Sequence, residues 1–238
     1  MIDKIVTNFF NSLPYCPDDL NEYTNIPYSI KRDKVIVTQG ATKFVFIFDD
    51  LDYVIKVPMK MYINEDFIPE EFWGESAWQE GEYDYDEEYA QEFLPFLNGG
   101  QRLYDDYAWD YCALEEEYGI LAKENGLENI VLPTTYLGEV NGYRLYKQPK
   151  ADKIGLFESK RINNLTKEEK SKITPYLDGS GDNFPIDFVL KITQTFSEKF
   201  CKLFFDWAEE IDINDIHKNN IGYRNGHVVI FDYSGYMS

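Results

Sequence analysis

Asp215 stands five residues before Asn220, and Asp232 follows Asn220 by twelve. Between them, Asn225-Gly226 is a two-residue hairpin signal, and Val228-Val229-Ile230-Phe231 reads as the strand that delivers Asp232. This set of groups suits one kind of chemistry. A first carboxylate can accept or orient a hydroxyl proton, while an amide oxygen and a second carboxylate hold a hard divalent cation against phosphate oxygens. Far upstream, Tyr53-Val54-Ile55-Lys56-Val57 is a β-branched and aromatic run with one lysine in it.

Such groups need elements to position them. Lys34–Val37, Lys43–Phe48 and Tyr53–Val57 predict three strands, β-branched and aromatic as strands prefer, joined by turns at Gln39–Thr42 and Asp49–Asp52. Asp105 to Asn125 predicts a helix with Tyr111, Leu114, Tyr118 and Leu121 at helical spacing and Gly126 as its stop. Tyr136–Glu139 and Tyr143–Tyr146 flank Asn141-Gly142 and predict a further hairpin, with Gln148-Pro149-Lys150 as a hinge beyond it. Thr166 and Glu169 form a capping box that opens a short helix. Pro185 to about Glu210 predicts one long helix, with Phe188, Ile192, Phe196, Phe200, Leu203 and Trp207 as its core stripe.

These motifs together resemble the protein-kinase-like superfamily. Asp215-to-Asn220 matches its D-x-x-x-x-N loop, and Asp232-Tyr233-Ser234-Gly235 stands where the family has D-F-G. Tyr53–Val57 is similar to its V-A-I-K strand. His217, two residues after Asp215, is closer to antibiotic phosphotransferases and other atypical kinases. The glycine loop departs from the pattern: Thr38, Gly40, Lys43 and Val45 occupy its marked places, so only the central glycine is kept.

The resemblance implies an α+β, two-lobed fold. A five-stranded antiparallel N-lobe would span residues 1–147, with an acidic insert at about 62–104, and a truncated, mainly helical C-lobe would span 148–238. It implies that Lys56 holds the nucleotide phosphates and that Glu117, placed by an E-x-x-I-L pattern, orients Lys56; Glu116 is the alternative. Gly40 would meet phosphate through its backbone. Val45, Val54 and Gln148 would line the nucleotide site. Asp215 would take the acceptor hydroxyl, and Asn220 and Asp232 would ligate Mg²⁺ or Mn²⁺. His217 is expected to make a structural hydrogen bond in the loop, and Lys218 to reach the phosphate. The implied activity is ATP-dependent phosphoryl transfer, with a protein Ser/Thr hydroxyl as the expected acceptor. The implied relatives are small virus- or mobile-element-encoded kinases. The chain ends three residues after Gly235, which leaves little C-lobe to hold a peptide. A pseudokinase, or an acidic decoy built on the same scaffold, is therefore the alternative.

Charge narrows the partners. The chain has a formal net charge of −20, and residues 62–117 hold 18 acidic residues against one basic, Arg102. That segment also holds Trp73, Trp78 and Trp109, which argues for an ordered insert rather than a disordered tail. Such a surface repels nucleic acid and suits a basic protein partner. No apolar run approaches the length of a membrane span. The start lacks a secretory pattern. Cys16, Cys112 and Cys201 are scattered, as reduced thiols in a cytoplasmic protein would be, whether the cell's own or a virus's host.

Overall fold

The computed structural model describes residues 2–16, 34–40, 42–59, 110–152, 154, 162–177, 184–213 and 216–234. The expected acidic insert and Asp215 lie outside the described residues. The fold is α+β, built on a five-stranded antiparallel sheet with several helices.

The sheet comprises β1 (Val35–Gln39), β2 (Lys43–Phe48), β3 (Tyr53–Pro58), β4 (Thr135–Val140) and β5 (Tyr143–Pro149), in the spatial order β1-β2-β3-β5-β4. Strand alternation gives it two unlike faces. Phe44, Phe46, Phe48, Ile55, Val57 and Leu145 form an apolar face covered by helix α1 (Lys4–Ser12). Phe10 of α1 meets Phe46 edge to face at 4.9 Å. Asp3 caps the start of α1, accepting from the Ile5 amide. Its far end is held by the β4–β5 turn, where the Asn141 side-chain amide reaches the Phe10, Leu13 and Pro14 carbonyl oxygens. Asn141 and Gly142 have φ of 54° and 82°, the paired positive values of the expected two-residue turn.

The opposite sheet face carries the polar groups. Register pairs Val45 with Lys56 and Ile47 with Val54, so Lys43, Val45 and Ile47 share this face with Val54 and Lys56. β5 continues through Gln148 to Pro149, so the boundary and hinge expected at 147–150 begin inside a strand.

Helix α2 (Tyr111–Glu124) packs against β3 and β4 on this face. Asp110 opens it by accepting from the Cys112 and Ala113 amides, and Gly126, at φ 72°, ends it as predicted.

The remaining elements are α3 (Lys167–Ile173), α4 (Ile186–Thr195), α5 (Glu198–Glu210) and the hairpin of β6 (Ile221–Arg224) with β7 (His227–Ile230). The Thr166–Glu169 capping box forms at α3 as predicted. The single long helix expected over 185–210 is two. Phe196 is extended at φ −111°, ψ 162°, and Ser197 caps a new helix through the Phe200 amide. The polar cap competes with helix continuation, and the stack of Phe196 on Phe200 at 4.3 Å closes the corner. Phe188, Ile192, Phe204 and Trp207 join the core of this region with Val228, Ile230 and Tyr233. β7 also clips onto the segment after α2: Leu132 donates to the Ile230 carbonyl at 2.9 Å, and Ile230 donates to the Ile130 carbonyl at 2.8 Å. This clip delivers Asp232 beneath α2. Among the described residues, no helix is long and apolar enough to cross a membrane.

Candidate functional site

Four ionisable side chains from four elements meet where β2, β3, α2 and the end of β7 converge. Glu115, in α2, is fully buried and uses both carboxylate oxygens. Its Oε1 accepts from Lys43 Nζ at 2.5 Å, and its Oε2 accepts from Lys56 Nζ at 2.7 Å and from the Thr134 hydroxyl at 3.0 Å. Lys43 Nζ also donates to Asp232 Oδ1 at 2.7 Å and to Ser234 Oγ at 3.0 Å. Lys56 Nζ donates to the Phe231 carbonyl at 2.7 Å, one residue from Asp232. The Lys43, Lys56 and Glu115 side chains are at most 3% exposed, whereas that of Asp232 is 35% exposed and is the one that solvent reaches.

Each element supplies its residue for a local reason. Cys112, Glu115, Gly119 and Ala122 lie at i, i+3, i+7 and i+10 on one stripe of α2, and all are buried. The small members let the helix close on the chain beneath it. A Cβ on Gly119 would stand 2.9 Å from the Tyr233 hydroxyl. That hydroxyl lies 2.9 Å from the Leu132 carbonyl and 3.1 Å from the Glu115 carbonyl, so it fastens the end of β7 to both α2 and the strand-like segment beyond it.

Electrostatics follow from the burial. Burial alone would raise the Asp232 carboxyl, but the Lys43 and Lys56 ammoniums outweigh it and hold the group well below the usual carboxylate range. For Lys43, burial opposes the charge; Asp232 and Glu115 overcome it and raise the group above its ordinary value. Burial pushes Glu115 up, against the pull of both lysines. By formal charge the ion pairs of the cluster match two lysines with two carboxyl groups.

The sequence-predicted residues are placed as follows. Lys56 and Asp232 come together. Asn220 is buried in the single helical turn Lys218–Asn220, and its carbonyl accepts from the Phe231 amide at 3.1 Å, next to Asp232. Val45 and Val54 are half-buried on the sheet face beside Lys56. Gly40 closes the β1–β2 turn, donating to the Lys43 carbonyl at 3.0 Å. The Gln148 side chain is buried and donates to the Leu132 carbonyl and Thr134 hydroxyl, so its amide braces the sheet. His217 caps its turn, accepting from the Asn219 amide, while Lys218 is exposed.

One assignment is corrected. The partner of Lys56 is Glu115, not Glu117. Glu117 is half-buried and lies off the inward stripe, and Glu116 accepts instead from the Tyr136 amide. Lys43, Glu115, Thr134 and Ser234 escaped the sequence reading. The alternation of β2 marks Lys43, because it shares a face with Val45. The small-residue stripe of α2 marks Glu115. Among the described residues, no group of three or more His, Cys, Asp or Glu side chains could hold a metal.

Comparisons with protein-family models, with curated proteins and with solved structures return no match.

Proposed function

We propose that the chain is an ATP-dependent phosphotransferase of the protein-kinase-like kind, with two lobes meeting at the Lys56–Asp232 site. The observation that carries this reading is the Lys56–Glu115 pair, lodged against the backbone next to Asp232. In phosphoryl transfer a lysine fixed by a carboxylate neutralises phosphate charge, and a second carboxylate holds the metal that bridges phosphate oxygens. The sheet order supports the reading, because β3 stands at the centre with its Lys56 facing α2. The half-buried patch of Val45, Ile47 and Val54 offers an apolar surface for a base ring.

Asp232 and Asn220 offer hard oxygens that fit Mg²⁺ or Mn²⁺. A bound ion would supply charge neutralisation at the phosphates. The chain's own groups would then hold the nucleotide: Lys56 at the phosphates, Glu115 fixing Lys56, and the Gly40 turn covering them. Asp215 is proposed to orient the acceptor hydroxyl, which a protein Ser or Thr would supply, and Lys218 to assist at the phosphate. The acidic segment suits a basic protein substrate or partner.

The test is phosphate transfer from labelled ATP with Mg²⁺, with and without basic proteins. Turnover that disappears in Asp232→Ala and Asp215→Asn supports the enzyme. Unchanged turnover in Asp232→Ala refutes the metal assignment. Nucleotide binding without transfer in the unmutated protein would instead mark a binding module.

A further inference from the structure

Lys43 is a lysine that the phosphotransferase reading does not require. Lys56 already supplies a cation fixed by Glu115, yet Lys43 is buried beside it with all three ammonium protons placed, on Glu115, Asp232 and Ser234. Burying an ammonium is costly unless charge and hydrogen bonds offset it, and an apolar side chain at this strand position would avoid that cost. With Glu115 shared between the lysines, the surplus charge on Lys43 is matched to Asp232. Asp232 is also the group that solvent reaches, so anything arriving at its carboxylate arrives beside the Lys43 ammonium.

We propose that Lys43 is a second phosphate-binding lysine, parked on Asp232 while the site is empty and transferred to the nucleotide phosphates when a metal–nucleotide complex takes that carboxylate. The proposal rests on the phosphotransferase reading and adds a residue to it. Charge balance explains the coupling. Two carboxylates already offset two ammoniums, so a bare divalent cation meets a site with no net negative charge to spare. A cation carried by anionic phosphates brings its own compensation, and the released ammonium finds a new anion within reach. Lys43 begins β2, and its carbonyl holds the Gly40 amide, so the ammonium is carried on the strand that closes this turn.

The unmutated protein gives the first test. An acyl-phosphate derivative of ATP acylates lysines that lie against bound phosphates, and the labelled peptides are read by mass spectrometry. Label on both Lys43 and Lys56, each suppressed by excess ATP, is expected. The second test is Lys43→Met, which keeps the stem and removes the charge. This variant should bind Mn²⁺ without nucleotide at least about tenfold more tightly than the unmutated protein, and should bind ATP without metal at least about tenfold more weakly. Label on Lys56 alone overturns the role of Lys43 and leaves the phosphotransferase reading standing. Unaltered Mn²⁺ and ATP affinities in the folded variant do the same. If the unmutated protein binds no nucleotide and takes no label, both readings fall together.

Discussion

Glu115 holds a different ammonium on each carboxylate oxygen, so its removal strands two buried charges at once. Glu115→Ala should cost about 3–5 kcal/mol in urea unfolding, the usual penalty for breaking a buried ionic group on one side. Glu117→Gln should cost under about 1 kcal/mol in the same measurement, because it leaves the two-lysine cluster intact. Equal losses in the two variants would contradict the corrected pairing. The contrast also shows why the residue scale was hard to read in advance. A run of three glutamates offers no internal clue to which one faces inward. The answer comes from Cys112, Gly119 and Ala122, whose smallness marks the face of α2 that closes on the chain. Asp232 adds a dependence on pH. Its folded-state carboxyl lies below the ordinary value of about 3.9, so its contribution to stability is full above that value and is lost as pH falls. Glu115 has the opposite sign: its carboxyl is raised, so its charged form costs stability above about 4.3. Asp232→Asn isolates the first effect. The stability gap between the unmutated protein and this variant should be widest near neutral pH and should narrow from about pH 4 downward. A gap independent of pH would remove the Lys43–Asp232 pairing from the account.

At the scale of elements, the strands and turns were largely legible and the helix boundaries less so. Asn141-Gly142 and Asn225-Gly226 each adopt the paired positive φ that a two-residue hairpin demands, and few sequences other than Asn-Gly tolerate it. The helix expected over 185–210 broke because Ser197 offered its hydroxyl to the Phe200 amide, a local bond that an apolar stripe does not reveal. Ser197→Ala should lower stability by about 1 kcal/mol, as loss of an N-cap does, with thermal or urea unfolding as the measure. Helix α1 was missed, although Val6, Phe9, Phe10 and Leu13 recur at helical spacing and pack against the sheet. One close approach is made by α2, where Gly119 faces the Tyr233 hydroxyl. Tyr233 is fully buried and bonded on both sides, so it has no room to retreat. Gly119→Ala should therefore destabilise by about 1–3 kcal/mol despite alanine's better helix propensity, and should weaken nucleotide binding by shifting Glu115. A stabilised Gly119→Ala protein would mean that α2 stands farther from Tyr233.

At the scale of the molecule, one core lies between the sheet and α1, and another joins α2 to the helices and the β6–β7 hairpin. The ionic cluster lies where they meet, with lysines from the sheet, Glu115 from the helix against it and Asp232 from the hairpin. The resemblance to the kinase-like pattern put Lys56 and Asp232 in one site, Lys56 within β3 and Asp232 two residues beyond the end of β7. Lys43 stands in the sequence only as a departure from the glycine-loop pattern, and it is strand register that puts it on the face of Val45 and Lys56. A ligand that engages Lys56 and Asp232 together therefore ties the two cores to each other, and its binding energy appears as resistance to unfolding. ATP with Mg²⁺ at about a hundred times its dissociation constant should stabilise the protein by about 2.7 kcal/mol, read as a raised unfolding midpoint. Chelating the metal should remove most of that gain, since phosphates alone must compete with Asp232 for the ammoniums. Asp232→Ala should abolish the metal-dependent part while leaving a metal-free shift from the lysines. A midpoint that moves equally with and without Mg²⁺ would place the nucleotide elsewhere than against Asp232.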